Sequence, residues 1–138
     1  MREAVIDEYK PSDRETFMNE RQREYFRRKL WRWRDEILRE SRETLNQLQA
    51  EREQLPDLAD RASTETDRSI ELRARDRQRK LIAKIDAALS RIEDGTYGYC
   101  DETGEPISLK RLEARPIATL SIEAQERHER AERVHRDD

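Results

Sequence analysis

The sequence predicts a mainly α fold: a long antiparallel coiled-coil helical hairpin carrying a small globular lobe and a C-terminal helix. Three observations predict it. Apolar residues recur every three or four positions over two stretches of similar length, the pattern of one buried stripe per helix. A proline-containing break, Leu55-Pro56-Asp57-Leu58-Ala59-Asp60-Arg61-Ala62, separates the two stretches. Only 33% of the 138 residues are apolar, too few to fill a large globular core but enough for helices that each bury one stripe.

Residues 1–18 form an arm with weak periodicity, several charges and Pro11, expected to be partly helical or irregular. Asn19 followed by Gln22 has the spacing of a helix-starting cap. Beyond it Phe26, Leu30, Trp33 and Ile37 recur at intervals of four, three and four, and Ser41, Leu45 and Leu48 continue the stripe with a slight drift. Pro56 lacks an amide hydrogen and disfavours helical backbone at Leu55, so the first helix is expected to stop near Gln54. Asp57 or Asp60 then caps the second helix. Its stripe, Ile70, Ala74, Leu81, Ile85, Ala88 and Ile92, ends at Asp94-Gly95. Each helix has roughly 34 residues, or ~50 Å at 1.5 Å per residue, and a short connection between equal helices makes them antiparallel neighbours over residues 19–94. Arg77, Leu81 and Lys84 share one helical face at intervals of four and three. Periodicity alone reads the two cations as snorkelling around the seam.

From Gly95 the pattern changes, and residues 95–138 form the lobe. Thr96 to Cys100 and Gly104 to Ile107 read as two short extended pieces around a turn, and Leu109 to Arg115 as a brief helical or irregular piece ended by Pro116. Thr119 or Ser121 caps a last helix running from about Ile122 toward Val134.

Charged residues make up 44% of the chain, yet 29 basic and 32 acidic residues leave a net charge of only −3. Interspersed charge of this kind is a solvated helical surface, and it argues against a protein whose main task is gripping nucleic-acid phosphates. One cysteine makes no internal disulfide, three glycines offer no phosphate-cradling loop, and no apolar run is long enough to span a membrane. A soluble cytoplasmic monomer with no catalytic residues is expected.

Tyr97-Gly98-Tyr99-Cys100 and Arg111-Leu112-Glu113-Ala114-Arg115-Pro116, together with Glu71 to Arg77, Arg79 to Ile82 and the break at Asp57 to Ala62, resemble the DksA/TraR family of RNA polymerase-binding transcription factors. The resemblance covers most of the chain from about Met18. Members with a zinc finger bind the metal through four cysteines, and the matching positions here are Cys100, Thr103, Ser121 and Ala124. One thiolate among threonine, serine and alanine does not make a four-ligand structural site. The resemblance therefore implies a cysteine-poor, zinc-independent branch with a degenerate zinc-finger-like lobe, held by the packing of Tyr97, Tyr99, Ile107, Leu112, Ile117 and Leu120. Cys100 is read as a leftover rather than a redox sensor, and His128 and His135 as surface residues.

The resemblance also implies a mechanism. Family members insert the coiled coil into the secondary channel of RNA polymerase and act with the alarmone ppGpp in the stringent response, destabilising promoter open complexes. It assigns the tip role to Asp57, Asp60 and Ala62, and contacts with the polymerase rim or ppGpp to Arg77, Leu81, Lys84, Arg111 and Arg115. A basic position of the family is here Gln125, which implies a weaker or rearranged ppGpp pocket. Two other readings compete with this one: a structural coiled-coil adaptor that does not bind polymerase, and a transcript-cleavage factor whose tip acids position a metal ion.

Overall fold

The structure, a computed structural model, describes residues 9–53 and 60–137, without the side chains of Arg52, of residues 60–64 and of residues 136–137. Residues 1–8 of the arm, and most of the break at 55–62, lie outside the described residues. Four helices follow in order: α1 (Glu20–Glu53), α2 (Asp60–Asp94), α3 (Leu109–Ala114) and α4 (Ile122–Asp137).

The helix ends follow local chemistry. The Asn19 Oδ1 accepts the Gln22 amide at 2.8 Å, capping α1 as the spacing predicts. The Gln22 side chain reaches back one residue further than a capping box requires and accepts the Met18 amide at 2.8 Å. α1 is described as far as Glu53 and α2 from Asp60; the expected end at Gln54 and the candidate cap Asp57 lie outside the described residues. Gly95 closes α2 at φ +83°, a left-handed conformation that favours glycine. The Thr96 amide then reaches the Arg91 carbonyl at 2.9 Å. Ser121 rather than Thr119 caps α4, its Oγ accepting the Ala124 amide at 3.2 Å, and α4 runs past the expected Val134 to Asp137.

The chain divides into two compact units, residues 31–86 and residues 1–30 with 87–138. In the 31–86 unit, α1 and α2 form the predicted long antiparallel hairpin. Arg34 pairs with Asp86 at 2.9 Å near one end, while Leu48 and Ile70 line a common pocket further along. Ile37 and Ile85 are buried in the seam. Leu45, Leu48, Ala74 and Leu81 are only half-buried, and Ile70, expected in the stripe, is 53% exposed. The apolar seam therefore thins along the hairpin.

The other unit holds most of the buried apolar residues. Phe26 and Leu30 of α1, Ala88 and Ile92 of α2, and Tyr97, Ile107, Leu112 and Ala124 of the lobe are buried. Phe26 meets Tyr97 with ring centroids 5.6 Å apart. The Tyr97 hydroxyl donates to the Pro116 carbonyl at 2.8 Å, which satisfies the polar end of a buried ring. The two extended pieces pair through one antiparallel bridge, Tyr99 with Pro106. The described part of the arm packs on this unit: Phe17 stacks edge-on against Tyr99 at 5.4 Å, and fully buried Gln22 donates to the Ser12 carbonyl at 3.2 Å. Tyr99, expected among the packing residues, is 38% exposed and makes its contribution through Phe17.

Candidate functional site

Of the three expected tip residues, Asp57 lies outside the described residues. Asp60 is the first residue of α2 and Ala62 lies in its first turn; the side chains of both lie outside the described ones.

The face of Arg77, Leu81 and Lys84 is carried by α2 in the 31–86 unit. Arg77 and Lys84 are exposed and Leu81 half-buried. Their cationic neighbours are neutralised along the helix: Arg75 pairs with Glu71 at 2.8 Å and Lys80 with Asp76 at 3.0 Å. Arg77 and Lys84 form no such pair among the described residues, so their charges remain available to an external anion. Both are exposed beside half-buried Leu81, an arrangement compatible with the snorkelling that periodicity alone suggests.

Arg111 and Arg115 belong to the other unit and differ from each other. Arg115 is exposed and ends α3, its amide reaching the Arg111 carbonyl at 2.7 Å. Arg111 is half-buried and donates its Nε to the Leu120 carbonyl at 2.7 Å. That bond ties α3 to the segment leading into α4, a structural duty that sequence alone did not reveal. Beside it, Glu113 accepts the Tyr25 hydroxyl at 2.5 Å and Lys29 Nζ at 2.7 Å. Burial works to raise the Glu113 carboxyl, but these two hydrogen bonds and the Lys29 charge outweigh it and hold the group below its ordinary range. This cluster gave no signal in the sequence because Glu113 lies 88 and 84 residues from Tyr25 and Lys29.

The structure links the four positions that match metal-binding cysteines. Cys100 is buried, and its Sγ accepts the Ser121 amide at 3.4 Å. Burial opposes a thiolate there, but amide hydrogen bonds from Ser121, Thr103 and Glu102 and the Thr103 hydroxyl prevail, lowering the thiol to about 6. The chain turns tightly around it, with the Gly104 amide on the Cys100 carbonyl at 2.9 Å and the Cys100 amide on the Glu105 carbonyl at 2.8 Å. Ser121 bonds on through its Oγ to Ala124, which is fully buried and offers no donor atom.

These residues do not fit a structural zinc ion, which takes four nitrogen or sulfur ligands. The Ser121 hydroxyl caps a helix, the Thr103 hydroxyl accepts the Glu105 amide at 3.2 Å, and Ala124 has nothing to give. Among the described residues, no three His, Cys, Asp or Glu side chains group to hold a metal ion. Hydrogen bonds lace together the segments that four cysteines would cross-link: Ser121 to Cys100, and the Asp101 amide to the Thr119 carbonyl at 2.8 Å. His128 is exposed and pairs with Glu102, adding a contact from α4 to the same turn.

Comparison with known proteins agrees with this architecture. A family model described as the N-terminal domain of DnaK suppressor protein DksA matches residues 22–92. A second, described as the prokaryotic dksA/traR C4-type zinc finger, matches residues 95–130. The chain is 72% identical over 131 residues to the RNA polymerase-binding transcription factor DksA of Caulobacter vibrioides, covering 95% of this chain and 92% of that protein. It is 44% identical over 120 residues to the protein of the same name from Escherichia coli, covering 87% and 80%. The solved structure of transcription factor DksA2 from Pseudomonas aeruginosa superimposes with a TM-score of 0.79 at 42% identity, covering 96% of this chain and 99% of that one. The chain belongs to the DksA/TraR family.

Proposed function

We propose that this chain is a non-enzymatic transcription regulator that enters the secondary channel of RNA polymerase, in the cytoplasm and as a monomer. There it destabilises promoter open complexes together with ppGpp, inhibiting rRNA-type promoters and activating some biosynthetic ones. The observation that carries this reading is the 72% identity, along 95% of the chain, to a relative named as an RNA polymerase-binding transcription factor. Asp57, Asp60 and Ala62 act at the tip, and Asp60 supplies the charge that shifts populations between promoter complexes. Helices of 34 and 35 residues are each about 50 Å long at 1.5 Å per residue, long enough to dock at one end and act at the other.

Arg77, Leu81, Lys84 and Arg115 contact the polymerase rim or ppGpp, whose phosphates suit the uncompensated cations. Arg111 joins them through its remaining guanidinium nitrogens while its Nε stays on the Leu120 carbonyl. The lobe works without zinc, because hydrogen bonding around Cys100 and apolar packing replace the metal. A fluorescence titration of the labelled chain with purified polymerase tests the contacts. Lys84→Ala and Arg115→Ala are expected each to weaken polymerase affinity or the ppGpp response about 10-fold, the loss of one charge-assisted contact. Unchanged affinity and unchanged ppGpp response in both variants would remove these residues from the interface.

A further inference from the structure

Residues 9–18 have no part in the function proposed above, yet their placement is closely specified. Fully buried Gln22 gives both ends of its amide to them, Oε1 accepting the Met18 amide and Nε2 donating to the Ser12 carbonyl. Met18 sits at φ +54°, a left-handed conformation that a residue with a Cβ keeps only where its surroundings hold it. Gly98 of the lobe makes room for the arm, since a Cβ there would come within 3.1 Å of the Phe17 ring. Tyr9 carries the contact onward. Its hydroxyl donates to Glu15 at 2.8 Å, the Arg21 guanidinium lies 4.0 Å from its ring centroid, and the ring stands edge-on to Tyr25 at 6.0 Å. Tyr25 in turn donates to Glu113 of α3, where Lys10 of the arm adds its charge to that of Lys29. α3 has six residues, too few to hold a helix without tertiary contacts. Arg111 is fixed by its Nε on the Leu120 carbonyl, whereas Arg115 is exposed and forms no ion pair among the described residues. Its position follows from two neighbours in the chain: Glu113, clamped to α1, and Pro116, whose carbonyl accepts the Tyr97 hydroxyl.

We propose that residues 9–18 are a positioning strap for Arg115: by backing the Tyr25 ring they hold Glu113, and with it the end of α3, against α1. Tyr9, Tyr25 and Glu113 are then positioning residues, which touch no partner themselves and act through the Arg115 cation. The proposal rests on the reading that Arg115 contacts polymerase or ppGpp, and gives the arm a task in that contact. A direct contact by Glu113 fits poorly. Its carboxylate is already engaged by Tyr25 and Lys29, and it has the wrong sign for phosphates.

Two measurements on the full chain test the proposal. The first is amide hydrogen exchange in the free protein. Tyr9→Ala and Glu113→Ala are expected to speed exchange of the Arg115 amide, which rests on the Arg111 carbonyl, about tenfold relative to the Thr96 amide at the end of α2. The second is titration with purified polymerase, with and without ppGpp, in the parent and Arg115→Ala backgrounds. In the parent, Tyr9→Ala, Tyr25→Phe and Glu113→Ala are each expected to weaken affinity or the ppGpp response about 3–5-fold, the worth of one hydrogen bond. Glu113→Gln, which keeps an acceptor for Tyr25 and Lys29, is expected to weaken them much less. In the Arg115→Ala background the same changes are expected to add nothing. Equal losses in both backgrounds would make these residues supports of the fold alone, and a stronger ppGpp response in Glu113→Ala would make the effect one of local charge; either result overturns the proposal. So does unchanged Arg115 exchange in Tyr9→Ala. If Arg115→Ala itself alters neither affinity nor response, the contact role of Arg115 falls and the proposal with it, whatever the exchange shows, so the two failures are distinct.

Discussion

At Cys100 two opposing effects act on one atom. Burial raises a thiol, and here amide hydrogen bonds from Ser121, Thr103 and Glu102 win, lowering it from an ordinary 9.0 to about 6. The folded state therefore binds its proton less tightly than the unfolded one. The resulting stabilisation is fully present above the ordinary thiol range and is lost as pH falls through about 6. In protein dialysed against a chelator, thiolate absorbance near 240 nm is expected to titrate with a midpoint near 6 and to vanish in Cys100→Ser. A midpoint in the ordinary thiol range would contradict the hydrogen-bonded thiolate, and a fold lost on chelation would contradict the proposed zinc-free lobe. The sequence shows that three of four ligand positions carry no cysteine. It does not show that the remaining one is held as a thiolate, because the donors are backbone amides, which every residue type shares.

Among the helices, the apolar stripe was legible residue by residue where packing is dense. Phe26, Leu30, Ile85, Ala88 and Ile92 were expected in the seam and all are buried. Further along, the same spacing holds but burial does not: Ile70 is half exposed, and Leu45 and Leu48 are half-buried. Periodicity reports which side chains share a face, whereas burial depends on what the partner helix sets opposite them; Ser41, Ala74 and Gln78 are small or polar. Leu30→Ala is therefore expected to cost about 3 kcal/mol in urea unfolding, within the range for fully buried leucines. Leu45→Ala should cost about 1 kcal/mol, since less apolar area returns to water. Equal costs would contradict the thinning of the seam. The arm was the least legible element. Its anchors, Phe17 against Tyr99 and the amide of Gln22 against Ser12, pair residues that no local period connects.

For the whole molecule, the break between two equal periodic stretches announced the hairpin, and Pro116 and Ser121 marked the segments of the lobe. The candidate contacts were only partly legible. Arg77 and Lys84 stand out once Arg75 and Lys80 are seen to be paired along α2, and Arg111 proves to bind the Leu120 carbonyl. The central claim is that the chain acts through its tip on the polymerase active centre, with Asp60 supplying a charge. The most direct measurement is the lifetime of open complexes at an rRNA-type promoter, formed with purified polymerase and challenged with this chain or its Asp60→Asn variant, with and without ppGpp. Asparagine caps a helix about as well as aspartate, so the substitution removes the charge at little cost to any capping. A lifetime shortened by the parent chain, further shortened with ppGpp, and restored by Asp60→Asn without loss of polymerase binding is the expected result. An unchanged lifetime at concentrations where the parent chain is bound, or equal shortening by the variant, would contradict the account.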